Sequence, residues 1–177
     1  VTIIFNAWVW IRSPHIKFIT TSYSESLSTD HTMSTRRLIL SPWYQDLFGD
    51  LYNLDYDLNT KTNFKNNKGG IRWSAGVGGS NLGRGADIII CDDPLKVKDA
   101  YSELARKSAV DWWGQTMFTR LNDQNIGLRI IIMQRLNEND LTGYLLSNKA
   151  NYRHICIPAE MDENINPIEL KENYKEG

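Results

Sequence analysis

Apolar and polar positions follow two rhythms along this chain. Short all-apolar runs recur, and segments with helical spacing lie between them. Residues 1–11 (VTIIFNAWVWI) are apolar on every side. That suits a buried helix, although length and β-branching leave a strand open. Ser13-Pro14 breaks the segment. Residues 16–21 (IKFITT) read as a strand. Ser24 and Ser28 open a helical stretch to about Leu40, with Leu27, Met33, Leu38 and Ile39 near helical spacing. Ser41-Pro42 opens a short helix over 42–48, where the missing N–H of proline costs nothing. Residues 50–69 are polar and rich in Asn and Asp, with a weak strand signal at 63–66. Residues 71–77 read as a strand, followed by a glycine-rich loop over 76–85. Ile88-Ile89-Ile90-Cys91 is apolar throughout, as in strands buried on both faces of a parallel sheet. Residues 99–121 read as one long helix with Leu104, Trp112, Trp113, Met117 and Leu121 toward the core. A buried strand over 128–133, a helix over 138–146 and a short strand over 154–157, stopped by Pro158, complete the pattern. The last eighteen residues read as a linker or tail. Strands alternating with helices predict an α/β three-layer sandwich around a mostly parallel central sheet.

Composition narrows the function classes. A chain of 177 residues predicts one main domain with a sizeable core. The net charge of −1 excludes a strongly basic chain built for nucleic acid through bulk charge. The charge is uneven, however: residues 160–177 hold six acids and two bases, so the remainder is mildly basic and permits a polyanionic partner. A hydrophobic fraction of 41% with six Trp argues against disorder. Two Cys in apolar runs exclude a disulfide scaffold and a Cys-based zinc site, and fit a reducing cytoplasm. No apolar run approaches the roughly 18 residues of a membrane span, so no membrane partner is expected. The chain opens on Val1 inside an apolar segment, which predicts a piece of a longer protein.

Candidate chemistry sits at two strand ends. Asp87-Ile88-Ile89-Ile90-Cys91-Asp92-Asp93-Pro94 ends an apolar strand in paired carboxylates. Open α/β sheets place ligands at that C-terminal edge. In P-loop NTPases the first carboxylate after such a strand, the Walker B position, holds Mg²⁺. A neighbouring carboxylate can take a proton from the attacking water. Asp92 fits the magnesium role and Asp93 the base role; the same residues also read as a strand running into a capped turn. Ile130-Ile131-Ile132-Met133-Gln134-Arg135 is the second such end. A Gln there can hydrogen-bond a γ-phosphate or its attacking water, or simply be an exposed amide. Glu138 and Asp140 read as solvated or helix N-terminal acids.

A Walker B strand needs a phosphate loop, G-x-x-x-x-G-K-[ST]. Gly78-Gly79-Ser80-Asn81-Leu82-Gly83-Arg84-Gly85 fails that pattern. Arg84 replaces Lys, Gly85 replaces the hydroxyl, and a strand rather than a helix follows. The loop reads as a strand connection, or as a mobile segment that brings Arg84 to a phosphate as an arginine finger. Ser22-Tyr23-Ser24 reads as a helix cap. The three His are scattered and form no triad with a nucleophile. A metal nuclease built on Asp87, Asp92 and Asp93 is disfavoured, because Asp87 and Asp92 lie five positions apart on a strand, on opposite faces and roughly 17 Å apart.

Taken in order, these residues resemble the ATPase domain of the large terminase subunit of tailed bacteriophages. The resemblance runs through nearly all of residues 1–160. It begins with Phe5-Asn6-Ala7-Trp8-Val9-Trp10 and Thr21-Ser22-Tyr23-Ser24, and continues through Arg36-Arg37-Leu38-Ile39, Ser41-Pro42-Trp43-Tyr44 and Gly69-Gly70-Ile71-Arg72. Next come Gly83-Arg84-Gly85-Ala86-Asp87, Asp92-Asp93-Pro94-Leu95-Lys96, Trp112-Trp113 and Thr119-Arg120-Leu121. It closes with Met133-Gln134-Arg135-Leu136, Asp140-Leu141-Thr142-Gly143 and Ile157-Pro158-Ala159-Glu160.

This resemblance implies a P-loop ATPase core of the ASCE type that binds ATP and Mg²⁺. Asp92 would be the Walker B carboxylate that holds the metal. Asp93 would be the catalytic carboxylate, with Asp in place of the commoner Glu. Gln134 and Arg135 would be the coupling motif at the nucleotide, with Arg84 the catalytic candidate from the loop reading alone. The implied partners are double-stranded DNA, the terminase small subunit, the portal protein and further copies of the chain in a ring. The implied location is the cytoplasm of a bacterial host. The family's Walker A loop ends just before the helix that residues 1–10 resemble, and its nuclease domain would follow residues 161–177. The expectation is therefore an incomplete ATPase domain over 1–160 with an acidic linker or tail over 161–177. Such a fragment, or a non-catalytic prophage remnant, is not expected to hydrolyse ATP alone.

Overall fold

The computed structural model describes residues 1–79, 83–158 and 164–173. The element order is α1 (Ile4–Arg12), β1 (Lys17–Ser22), α2 (Glu25–Ile39), α3 (Pro42–Phe48), β2 (Leu54–Asn59), β3 (Asn63–Asn66), β4 (Ile71–Gly76), β5 (Ile88–Asp92), α4 (Glu103–Trp112), β6 (Leu128–Ile132) and α5 (Leu141–Ser147). One six-stranded mixed sheet runs in the order β2-β3-β4-β1-β5-β6. The strands β4, β1, β5 and β6 are mutually parallel. The strands β2 and β3 extend the sheet antiparallel at the β4 side. The α/β class with a mostly parallel sheet is thus observed. Among the described residues, no helix is long and apolar enough to cross a membrane.

Alternation along the buried strands builds two cores. Phe18, Ile88 and Ile90 face α1 and α3, where they meet Ala7, Trp10, Tyr44, Tyr52 and Phe64. Ile19, Ala75, Ile89 and Cys91 face the other way, onto Trp112, Trp113, Met117, Leu121 and Leu141. The paired tryptophans are core residues, as their spacing suggested.

Four expectations are corrected. The buried stripe of α2 is Ser28, Thr32, Thr35 and Ile39, whereas Leu27, Met33 and Leu38 are only half-buried. Hydroxyls can line that interface because each has a partner. Ser28 Oγ donates to the Thr20 carbonyl at 2.8 Å, and Thr35 Oγ1 to the Ile3 carbonyl at 3.0 Å. Thr32 Oγ1 accepts from Arg72 Nε at 3.1 Å. The expected helix over 99–121 is broken into a 3-10 turn at Val97–Asp99, α4, a π turn at Trp113–Met117 and a 3-10 turn at Phe118–Arg120. Ser102 caps α4 by accepting from Ala105 N, and Leu104 is left 76% exposed rather than in the core. Residues 154–157 form no strand: Cys156 makes only an isolated antiparallel bridge with Asn166, and Ile155 and Ile157 are exposed. The polar segment 54–59 is a strand after all, an edge strand whose Asp55 pairs with Lys65 of β3 at 3.0 Å. Charged edge strands of this kind resist further pairing.

Candidate functional site

The parallel strands β1, β5 and β6 end side by side, with Ser22, Asp92 and Ile132 in register. The chain beyond β5 is then pinned by its neighbours. Asp93 N–H donates to the Ile132 carbonyl, and Tyr23 N–H donates to the Asp93 carbonyl, both at 2.8 Å. Asp93 takes φ +47°, in the left-handed region, and Pro94 follows it. A proline disfavours right-handed helical backbone at the preceding residue, and Asp is among the few residues that tolerate the left-handed region. Strain of this kind, held by two strand-end hydrogen bonds, fixes where the Asp93 carboxylate points.

The two carboxylates consequently face different hollows. Asp92 lines a cavity of about 290 Å³ with residues 1–4 at the start of α1, His31 of α2 and Ile132. Thr2 Oγ1 donates to Asp92 Oδ2 at 2.5 Å, and His31 Nδ1 lies 3.7 Å from the same oxygen. Asp93 lines a second cavity, of about 340 Å³, with Tyr23, Lys96, Lys98, Gln134 and Leu136. Lys96 Nζ lies 5.4 Å from the centre of the Tyr23 ring.

The Asp93 carboxyl is held above the usual carboxylate range. Burial is the main cause and the Asp92 charge adds to it, while the Gln134 backbone N–H and His31 pull the other way. A raised carboxyl binds its proton more tightly in the folded protein than in the unfolded chain. The fold therefore loses stability as pH rises from the ordinary carboxylate value through the raised one. Asp93→Asn removes that loss and suits the left-handed backbone equally well. The expected result is a melting temperature above that of wild type at pH 7, with the gap shrinking as pH falls into the ordinary carboxylate range. A gap that does not change with pH contradicts the assignment.

The structure brings Asp92, Asp93 and Gln134 to one edge. Arg135 is turned elsewhere: its Nε donates to Asp140 Oδ2 at 3.1 Å. Asp140 is buried rather than solvated. It caps α5 by accepting from Gly143 N–H at 2.9 Å, and it also accepts from the Leu136 N–H at 3.2 Å. Arg84 lies against Trp73, its guanidinium carbon 5.6 Å from the ring centre. Residues 80–82 of its loop lie outside the described residues. The loop leads into a bridge at Ala86 and then β5, not a helix. Asp87 lies at the opposite end of β5 and accepts from Lys17 N–H at 2.8 Å and Asn122 Nδ2 at 2.7 Å. It therefore joins strand starts and cannot share a metal with Asp92. Cys91, one position before Asp92, is wholly buried, and burial pushes its thiol up to about 12.

Sequence reasoning missed Thr2 and His31 at this edge, which no motif carries; Lys96 was part of the Asp92–Lys96 motif but was given no role. For His31 the available signal was topological: only two residues separate the end of β1 from the start of α2, so the first turns of α2 lie near the C-terminal ends of the strands. Compared with profiles of known protein families and with curated protein sequences, the chain matches none.

Proposed function

We propose that this chain is the ATPase-domain segment of a phage or prophage terminase large subunit, of the P-loop ASCE type. The observation that carries the reading is the convergence of Asp92, Asp93 and Gln134 at the C-terminal ends of adjacent parallel strands. Such edges are where open α/β sheets take ligands. The beginning of α1 supports it further, because residues 1–4 line the Asp92 cavity and a helix N-terminus favours phosphate. Two oxygen donors could hold Mg²⁺: Asp92 offers a carboxylate, and the Ser22 hydroxyl beside it is fully buried without a partner. Hard oxygen donors of this kind suit that ion.

In this reading Mg²⁺, when bound, neutralises charge on the phosphates of ATP. Asp92 holds the ion in place. Asp93, raised and aimed by its strained backbone, accepts a proton from the attacking water. Gln134 orients that water, and its backbone N–H steadies the Asp93 carboxylate. Arg135 acts through Asp140, tying the end of β6 to the start of α5, so that a change at Gln134 is felt by that helix. Arg84 serves as a mobile cation for the phosphates. Within a complete motor this hydrolysis would drive double-stranded DNA into a procapsid, with the small subunit, the portal and a ring of copies as partners, in the cytoplasm of the bacterial host.

The test is nucleotide binding to the chain itself, followed with a fluorescent ATP analogue. Binding is expected to require Mg²⁺ and to weaken at least tenfold in Asp92→Ala. Binding indifferent to both Mg²⁺ and Asp92 overturns the reading.

A further inference from the structure

His31 has no part in the reading above, yet its position is chemically specific. It enters the Asp92 cavity from α2. Its Nδ1 is buried with no hydrogen-bond partner and stands 3.7 Å from Asp92 Oδ2. That separation is too long for a hydrogen bond. The Ser22 side chain, register neighbour of Asp92 on β1, is wholly buried and its Oγ is also without a partner. Buried polar atoms left unpaired are costly, and each calls for a ligand or a compensating partner. Here two of them flank one carboxylate beside a cavity of about 290 Å³.

The spacing matches two ligands of a single ion. Metal–nitrogen and metal–oxygen bonds of about 2.0–2.2 Å, spread by roughly 90–120°, put the two ligand atoms about 3.0–3.7 Å apart. We infer that His31 Nδ1 and the Asp92 carboxylate form a divalent-cation site with the Ser22 hydroxyl beside them, and that the imidazole makes it favour a first-row transition ion over Mg²⁺. The inference rests on the proposed metal role of Asp92 and specifies which ion that site takes. Mg²⁺ prefers oxygen ligands, whereas an imidazole nitrogen suits Co²⁺, Zn²⁺ and their neighbours. Among the described residues, no group of three His, Cys, Asp or Glu side chains is placed to hold an ion. Water or phosphate oxygens therefore complete the coordination. The Nδ1 lone pair must face the ion, which places the proton of the neutral ring on Nε2.

Titration of the chain with Co²⁺, read by its visible absorption, tests the site without reference to activity. Mg²⁺ is measured by displacement of bound Co²⁺. His31→Ala is expected to weaken Co²⁺ binding at least tenfold and to change Mg²⁺ binding less than threefold. Asp92→Ala is expected to weaken both. Wild-type Co²⁺ affinity in His31→Ala, with both affinities lost in Asp92→Ala, overturns this inference alone. Unchanged affinities in both variants overturn the metal role of Asp92 as well. Circular dichroism checks the fold of each variant. If His31→Ala does not fold, the wild-type chain decides. Its Co²⁺ complex is expected to show a paramagnetically shifted, exchangeable imidazole N–H signal by proton NMR, and the absence of that signal overturns the site.

Discussion

Joined behind a phosphate-binding loop, the chain is expected to hydrolyse ATP, and Asp93→Ala is expected to lower kcat by roughly 10²- to 10⁴-fold, the contribution typical of a positioned general base. Binding of Mg-ATP is expected to change by less than about threefold. The asymmetry follows from the two hollows. Asp92 lies with Thr2, His31 and the start of α1, where phosphates and their cation would sit. Asp93 lies with Tyr23 and Gln134, on the side from which water would approach. Its carboxyl is raised by burial and by the Asp92 charge, which brings its proton affinity closer to that of a working base. Turnover at wild-type rate in Asp93→Ala removes this residue from the base role. Loss of nucleotide binding in the same variant instead makes Asp93 part of the cation site.

Trp10→Ala is expected to destabilise the fold by about 3–5 kcal/mol, as for other large core aromatics. Trp10 has no exposed surface. Its ring meets Phe18, Tyr52 and Phe64 edge-on, with centroid separations of 6.4, 5.5 and 5.7 Å. Its Nε1 donates to the Ile16 carbonyl at 2.9 Å, which ties the end of α1 to the residue before β1. Removing the ring would open a cavity and leave that carbonyl without its donor. Because α1 carries the wall of the Asp92 cavity, nucleotide binding should weaken with it. Trp43, on α3, is 53% exposed, and Trp43→Ala is the contrasting variant, expected to cost less than about 1 kcal/mol. Urea unfolding of the two variants checks the pair. A loss below about 1 kcal/mol for Trp10→Ala contradicts this packing.

The centre of the sheet was legible in the sequence because β5 is apolar on both faces, while β1 and β4 mix apolar residues with buried Thr, Ser and Arg. Ile88-Ile89-Ile90-Cys91 has no other stable environment than a covered sheet. Its abrupt end in Asp92-Asp93 marked the candidate site for the same reason: carboxylates after a buried run must lie where the sheet meets solvent. Gln134 was legible from the apolar run of β6, although that strand lies at the sheet edge and is only partly buried rather than the buried strand the sequence predicts. The polar strand β2 was not, since Leu54–Asn59 lies at an edge and takes its register from β3 rather than from a hydrophobic face. The buried face of α2 was misread because hydroxyls replace the expected Leu and Met. They do so only where Arg72 and the backbones of residues 3 and 20 supply partners, and such contacts are invisible to periodicity. The break in the 99–121 segment turns on the Ser102 cap and on a π turn through Trp113–Met117, which keeps Trp113 and Met117 buried. His31 was unreadable as a site residue, since only the packing of α2 on β1 and β4 brings it within reach of Asp92 at the end of the neighbouring β5.

Chemical-shift mapping tests the central claim most directly. The chain, labelled with ¹⁵N, is titrated with ATP in the presence of Mg²⁺. The account predicts that shifts concentrate at Thr2, Ser22, Tyr23, His31, Asp92, Asp93 and Gln134, the residues around the ends of β1, β5 and β6. Shifts confined to other surfaces, or none up to millimolar ATP, contradict it.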